Sequence, residues 1–102
     1  MPIVRFSRGA FAPELFDTIQ MRLTESRTSL EPALKQVRGL QHYYAGIDAA
    51  SNTMVNISVW DTLAYAQQMD TLAPMLSLAQ EFIGLGVQFE RPIINYTALW
   101  EL

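Results

Sequence analysis

The chain has 102 residues, half of them hydrophobic and 17% charged, with net charge −3, no cysteine and a single histidine, His42. A chain of this length makes one domain, spanning 1–102, and half-apolar composition excludes disorder. Without cysteine there are no disulfides or thiolates, and one histidine cannot build a His-rich metal centre within the chain.

The elements follow in order. Ile3 to Ser7 reads as a short strand before a break at Gly9. Pro13 suits a first helical turn, Glu14 and Asp17 favour its positive end, and Leu15, Phe16, Ile19 and Leu23 recur at helical spacing. Pro32 is expected to kink or restart this helix near Ser29–Glu31, and Gly39 to stop it. Leu40–Asp48 and Thr53–Trp60 read as a hairpin turning at Ala49–Asn52. Asp61 or Thr62 caps a second helical region, which Pro74 is expected to interrupt. An amphipathic stretch through Leu76, Ala79, Phe82 and Ile83 ends at Gly84 or Gly86, and Val87–Leu102 forms a last strand bent at Pro92. The order β-α-β-β-α-β predicts an α+β, ferredoxin-like antiparallel sheet with helices on one face.

Strand alternation carries the next inference. Val55, Ile57 and Val59 share one face of the third strand, and Met54, Asn56, Ser58 and Trp60 share the other. In the last strand Ile94, Tyr96, Ala98, Trp100 and Leu102 oppose Ile93, Asn95, Thr97 and Leu99. Neither face has the plainly polar character of a solvated one. One face is therefore expected beneath the helices and the other against a second copy, which predicts a homodimer.

Charge is uneven: residues 1–41 carry six bases and four acids, residues 42–102 one base and six acids. No basic run interleaves with aromatics, so no nucleic-acid partner is expected. Apolar stretches fall short of the ~20 residues that cross a bilayer, and Arg5 and Arg8 interrupt any signal-peptide core, so a cytoplasmic protein without a membrane partner is expected. Arg5 and Arg8 themselves read most simply as an edge or rim feature of the first strand.

The stretch Gly39–Tyr65, GLQHYYAGIDAASNTMVNISVWDTLAY, places a glycine after the first helix, then a hairpin, then an aliphatic strand ending in Trp-acid-Thr. It resembles the antibiotic biosynthesis monooxygenase-like family of dimeric α+β barrels, and the element order extends the resemblance over the whole chain. That family includes quinone-forming oxygenases, haem degraders and stress proteins. Some of its cofactor-independent oxygenases carry Asn, Trp four residues later and Tyr six beyond the Trp. Asn56 and Trp60 match; the third position here is Ala66, with Tyr65 one residue earlier, about 100° around a helix.

The resemblance implies a cofactor-independent monooxygenase for an aromatic or quinol-type molecule. Asn56 would hold an oxyanion, Trp60 would supply a wall and a donor, and Tyr65 or His42 would accept a proton. Asn56 and Trp60 lie two rungs apart, roughly 13 Å along the strand, which calls for a polycyclic substrate. The haem-degrading branch needs a Trp and a His where this chain has residues near Met69 and Ala79, so haem degradation is set aside. For each candidate a packing role competes: Trp60 as a core anchor, Asn56 as a satisfied amide, His42 as a half-buried histidine. Two other classes stay open. One is a non-catalytic dimeric module that binds a small molecule or serves in stress. The other is a tautomerase using Pro2 as its terminal base.

Overall fold

The computed structural model describes all 102 residues. Strand β1 is Ile3–Ala10; a 3-10 turn at Pro13–Leu15 leads into helix α1, Phe16–Leu34. The hairpin strands are β2, Leu40–Asp48, and β3, Thr53–Trp60. Helix α2 is a single turn at Leu63–Ala66, continued as 3-10 helix over Gln67–Asp70, and α3 is Ala73–Leu85. The C-terminal strand is in two pieces, β4, Gln88–Phe89, and β5, Ile94–Thr97.

All pairings are antiparallel, in the order β2-β3-β1, with β4 and β5 both on the free side of β1. This is the ferredoxin-like arrangement expected from the element order. β4 pairs with Gly9 and Ala10, and β5 with Ile3–Phe6, so the two pieces act as one strand interrupted around Pro92. The Arg91–Pro92 peptide is cis.

Local chemistry accounts for most boundaries. Thr62 caps α2, its hydroxyl accepting from the Tyr65 N–H at 3.2 Å. The hairpin turn is held by Asp48, whose carboxylate accepts from the Ser51 N–H at 3.0 Å and the Ser51 hydroxyl at 2.6 Å; these bonds also hold its pKa below the usual value. Gly39 sits at φ +77°, and a Cβ there would lie 2.2 Å from the Tyr65 ring, so both conformation and space demand glycine.

Four boundaries differ from the expectation. The last strand ends at Thr97 and does not run on to Leu102, so Trp100 and Leu102 belong to no strand face. β1 runs through Gly9, which is needed for close approach: a Cβ there would lie 2.6 Å from the Val87 side chain. Pro32 neither kinks nor restarts α1. It lies in the last turn, so only the Thr28 carbonyl loses its bond, and almost no helix remains beyond the proline to be displaced. Pro74 opens α3 instead of interrupting a helix, because the first turn needs no N–H there.

The core lies between helices and sheet. Ile19, Leu23 and Leu30 of α1 and Leu78 and Phe82 of α3 pack on Met54, Phe11 and Val87. A second cluster joins Ile3, Trp60, Ala66 and Met69. Phe82 and Ile19 are almost wholly buried, each stabilising the fold by about 1.5–3 kcal/mol. No helix is long and apolar enough to cross a membrane.

Candidate functional site

Burial along β1 alternates strictly: Ile3, Arg5, Ser7 and Gly9 are buried, whereas Val4, Phe6 and Arg8 are less so. Registers carry this phase across the sheet. Arg5 lies opposite Ser58 on β3 and Asn95 on β5; Ser7 lies opposite Asn56, and Asn56 opposite Ala45. The face with Asn56, Ser58 and Trp60 is therefore the one beneath the helices. Val55, Ile57 and Val59 look outward with Val4, Phe6, His42 and Tyr44.

A cavity of about 450 Å³ opens between this inner face and the helices. Its apolar wall includes Leu23, Met54, Met69, Met75, Phe82 and Phe89, and its polar floor includes Arg5, Ser7, Asn56 and Asn95. The size suits a small organic ligand, and three methionines give the wall adaptable packing. Arg5 is only 5% exposed. Its Nη2 donates to Asp70 Oδ1 at 2.8 Å, and that carboxylate reaches solvent at the rim. Arg91 also lines the cavity, its guanidinium 5.0 Å above the Phe89 ring. Two guanidiniums thus face one carboxylate, in a chain whose net charge is negative. Asn95 Oδ1 is buried with no hydrogen-bond partner in the protein. Burial pushes the Tyr43 phenol up to about 12, so it stands in the wall as a protonated hydroxyl.

Of the four residues singled out in the sequence, Asn56 lines the cavity. Trp60 does not: it is fully buried in the second core cluster, and its Nε1–H donates to Ser58 Oγ at 2.8 Å. Tyr65 packs over Gly39 against the same cluster, while Ala66 takes the inward position. His42 lies on the opposite face of the sheet, stacked on Tyr44 with ring centroids 6.1 Å apart. It borders a second groove of about 680 Å³ between α1 and β2. The charges of that groove are spent on one another, Glu31 accepting from Arg27 and pairing with Lys35 along α1. These cations hold the Glu31 pKa below its ordinary value. Pro2 lies outside the cavity lining, with its carbonyl accepting from the Ala98 N–H at 2.9 Å.

Arg5, Asp70, Arg91 and Asn95 also line the cavity and were not singled out in the sequence. Arg5 is not a rim residue, because its strand phase places it under the helices. The available signal was the match between two polar pairs, Arg5 with Ser7 and Asn56 with Ser58, in the same phase on two strands that pair.

No protein-family model and no curated protein matches the chain. Solved structures do. A Deinococcus radiodurans protein described as a proposed antibiotic biosynthesis monooxygenase superposes with TM-score 0.74 at 15% identity, covering 98% of this chain and 95% of that one. Rv0793 from Mycobacterium tuberculosis gives TM-score 0.68 at 14% identity, over 99% and 98% of the two chains. SnoaB, a cofactor-independent oxygenase from Streptomyces nogalater, here in a variant with one asparagine replaced by alanine, gives 0.66 at 17% identity, over 99% and 96%. At these identities the likeness establishes the fold: the chain has the α+β fold of structures named antibiotic biosynthesis monooxygenases, over essentially its whole length.

Proposed function

We propose that the protein is a homodimeric, cofactor-independent monooxygenase whose cavity accepts an aromatic or quinol-type molecule. The observation that carries this reading is Asn56 on the floor of a cavity between sheet and helices, diagonally across from a buried arginine, Arg5. Diagonal neighbours on paired strands lie roughly 7–8 Å apart, so one fused-ring ligand reaches both. The likeness to SnoaB supports the reaction class.

The chemistry begins with loss of a proton from a phenol or anthrone. Asn56 donates its amide N–H to the resulting oxyanion, and the Arg5 charge lowers the cost of forming an anion nearby. Asp70, the one carboxylate in the lining, takes the proton at the solvent side. The electron-rich anion then reduces oxygen directly, a C–O bond forms, and the hydroperoxide loses water. An anthrone plus O2 yields an anthraquinone plus water, so atoms and electrons balance. In this reading Trp60 supports the site from behind by fixing Ser58, and neither Tyr65 nor His42 handles the proton.

The homodimer forms through the outer sheet face, where Tyr44, Ile94 and Tyr96 are about half exposed in the single chain. Both strand faces are then buried, as the alternation requires.

A second reading, a non-catalytic binding module, is favoured by one observation: Trp60, Tyr65 and His42 all lie away from the cavity lining. Oxygen uptake with dithranol, an anthrone, separates the two. The oxygenase reading expects consumption above the uncatalysed rate and a fall of about a hundredfold in Asn56→Ala, the size seen when a single oxyanion donor is removed. Equal rates for wild type, Asn56→Ala and buffer would leave the binding module.

A further inference from the structure

Burying a guanidinium beneath helices is costly unless charge and hydrogen bonds compensate. Arg5 is only 5% exposed, yet its side chain bonds a single Asp70 oxygen at the rim. A guanidinium offers five donors in a planar fork suited to a carboxylate held by two parallel bonds. Asn95 stands directly opposite Arg5 on β5, with a buried Oδ1 lacking a partner. Arg91 adds a second positive charge to the same cavity. Nothing in simple aromatic or quinol recognition calls for two guanidiniums and an unpaired amide oxygen on one floor.

We propose that the ligand is a fused-ring aromatic acid whose carboxylate pairs with Arg5, displacing Asp70, while a hydroxyl of the same ligand donates to Asn95 Oδ1. The apolar rings lie against Met54, Met75 and Phe82, and the reacting edge faces Asn56. Asp70 is the resident counter-ion: it neutralises Arg5 in the free protein, and when the acid enters it gives up Arg5 but stays at the exposed rim, free to take the proton there. This proposal rests on the cavity reading above, but it concerns binding and holds whether or not oxygen chemistry follows.

Rhein and aloe-emodin test it, because these dihydroxyanthraquinones differ only in carrying a carboxylate or a hydroxymethyl group. Titration followed by ligand absorbance or calorimetry is expected to show rhein binding at least about tenfold tighter, the scale of one charge-assisted pair. Arg5→Met is expected to bring the two to parity, and Asn56→Ala to keep the preference for rhein. Equal binding of both ligands by the wild type overturns the proposal. If Arg5→Met does not fold, Asp70→Asn decides the matter at an exposed position. Removing the competing carboxylate should raise the preference for rhein several-fold, and an unchanged or smaller preference overturns the proposal. The two readings fail separately. A rhein preference without dithranol oxidation removes the oxygenase and leaves the acid site. Dithranol oxidation without a rhein preference does the reverse.

Discussion

Trp60→Phe separates a structural tryptophan from a catalytic one. In the fold Trp60 is 0% exposed, Ser58 is 1% exposed, and the indole N–H donates to the serine hydroxyl at 2.8 Å. Replacing the indole by a phenyl ring leaves a void on the order of 30–40 Å³, which at about 24 cal/mol per Å³ costs about 1 kcal/mol. It also strips Ser58 of its donor, and a buried unpaired polar group costs about 1–3 kcal/mol. The variant should therefore lose about 2–4 kcal/mol in urea unfolding. Ser58→Ala, which orphans the indole N–H instead, should lose about 1–3 kcal/mol. The double variant orphans neither group, so its loss should fall short of the two single losses combined by both orphan penalties, about 2–6 kcal/mol. Dithranol oxidation should stay within about threefold of wild type in Trp60→Phe, because the indole is outside the cavity. A variant of nearly unchanged stability whose oxidation rate falls by about a hundredfold or more would refute the structural assignment.

Gly39→Ala should destabilise by more than the ~1–2 kcal/mol that a left-handed conformation costs an ordinary residue, since the added methyl also meets the Tyr65 ring; thermal unfolding reads this directly. The Tyr43 phenol is held protonated up to about 12 in the folded chain, above the ordinary tyrosine value of 10.0. Stability contributed by this group is thus complete below the unfolded pKa and is lost as pH rises towards the folded one, about 2–3 kcal/mol in all. Tyr43→Phe should abolish that alkaline loss, together with the highest-pH step in tyrosinate absorbance. Ile57→Asp places a carboxylate on the outer face between Phe6 and Tyr44. It should weaken self-association by about a hundredfold or more in sedimentation equilibrium while leaving the monomer folded, and an unaltered dimer would place the interface elsewhere.

The fold was legible because its punctuation is chemical. Gly39 at positive φ, the Thr62 cap, the Asp48–Ser51 turn and the Gly86 helix end each act through a local need that the residue type announces. Pro32 and Pro74 misled because proline speaks about one N–H, not about a helix: in the first turn that N–H has no partner to lose, and near the last turn it costs a single bond with little helix left to break. The site was half legible. Alternation says which residues share a face but not which face looks inward. The face holding Val55, Ile57 and Val59 is the more apolar of the two, yet it is the outer one. Asn56 was singled out through the resemblance and lines the cavity, whereas Arg5 needed the register that sets it beside Asn95 and over Asp70. Asn95 could not be recognised from sequence, because its significance lies in an oxygen without a partner. Trp60 shows the opposite failure: its spacing from Asn56 is that of an oxygenase pair, but its indole turns into the second core cluster.

In the proposed binding mode the cavity floor, and not the exposed sheet face, receives the small molecule. Backbone amide chemical-shift mapping during titration with rhein tests this most directly. The largest shifts are expected at Arg5, Ser7, Asn56 and Asn95, with further shifts at Met75 and Phe82 on the facing helix. Shifts confined to Tyr44, Ile57 and Tyr96 on the outer face, with the floor unmoved, would contradict it.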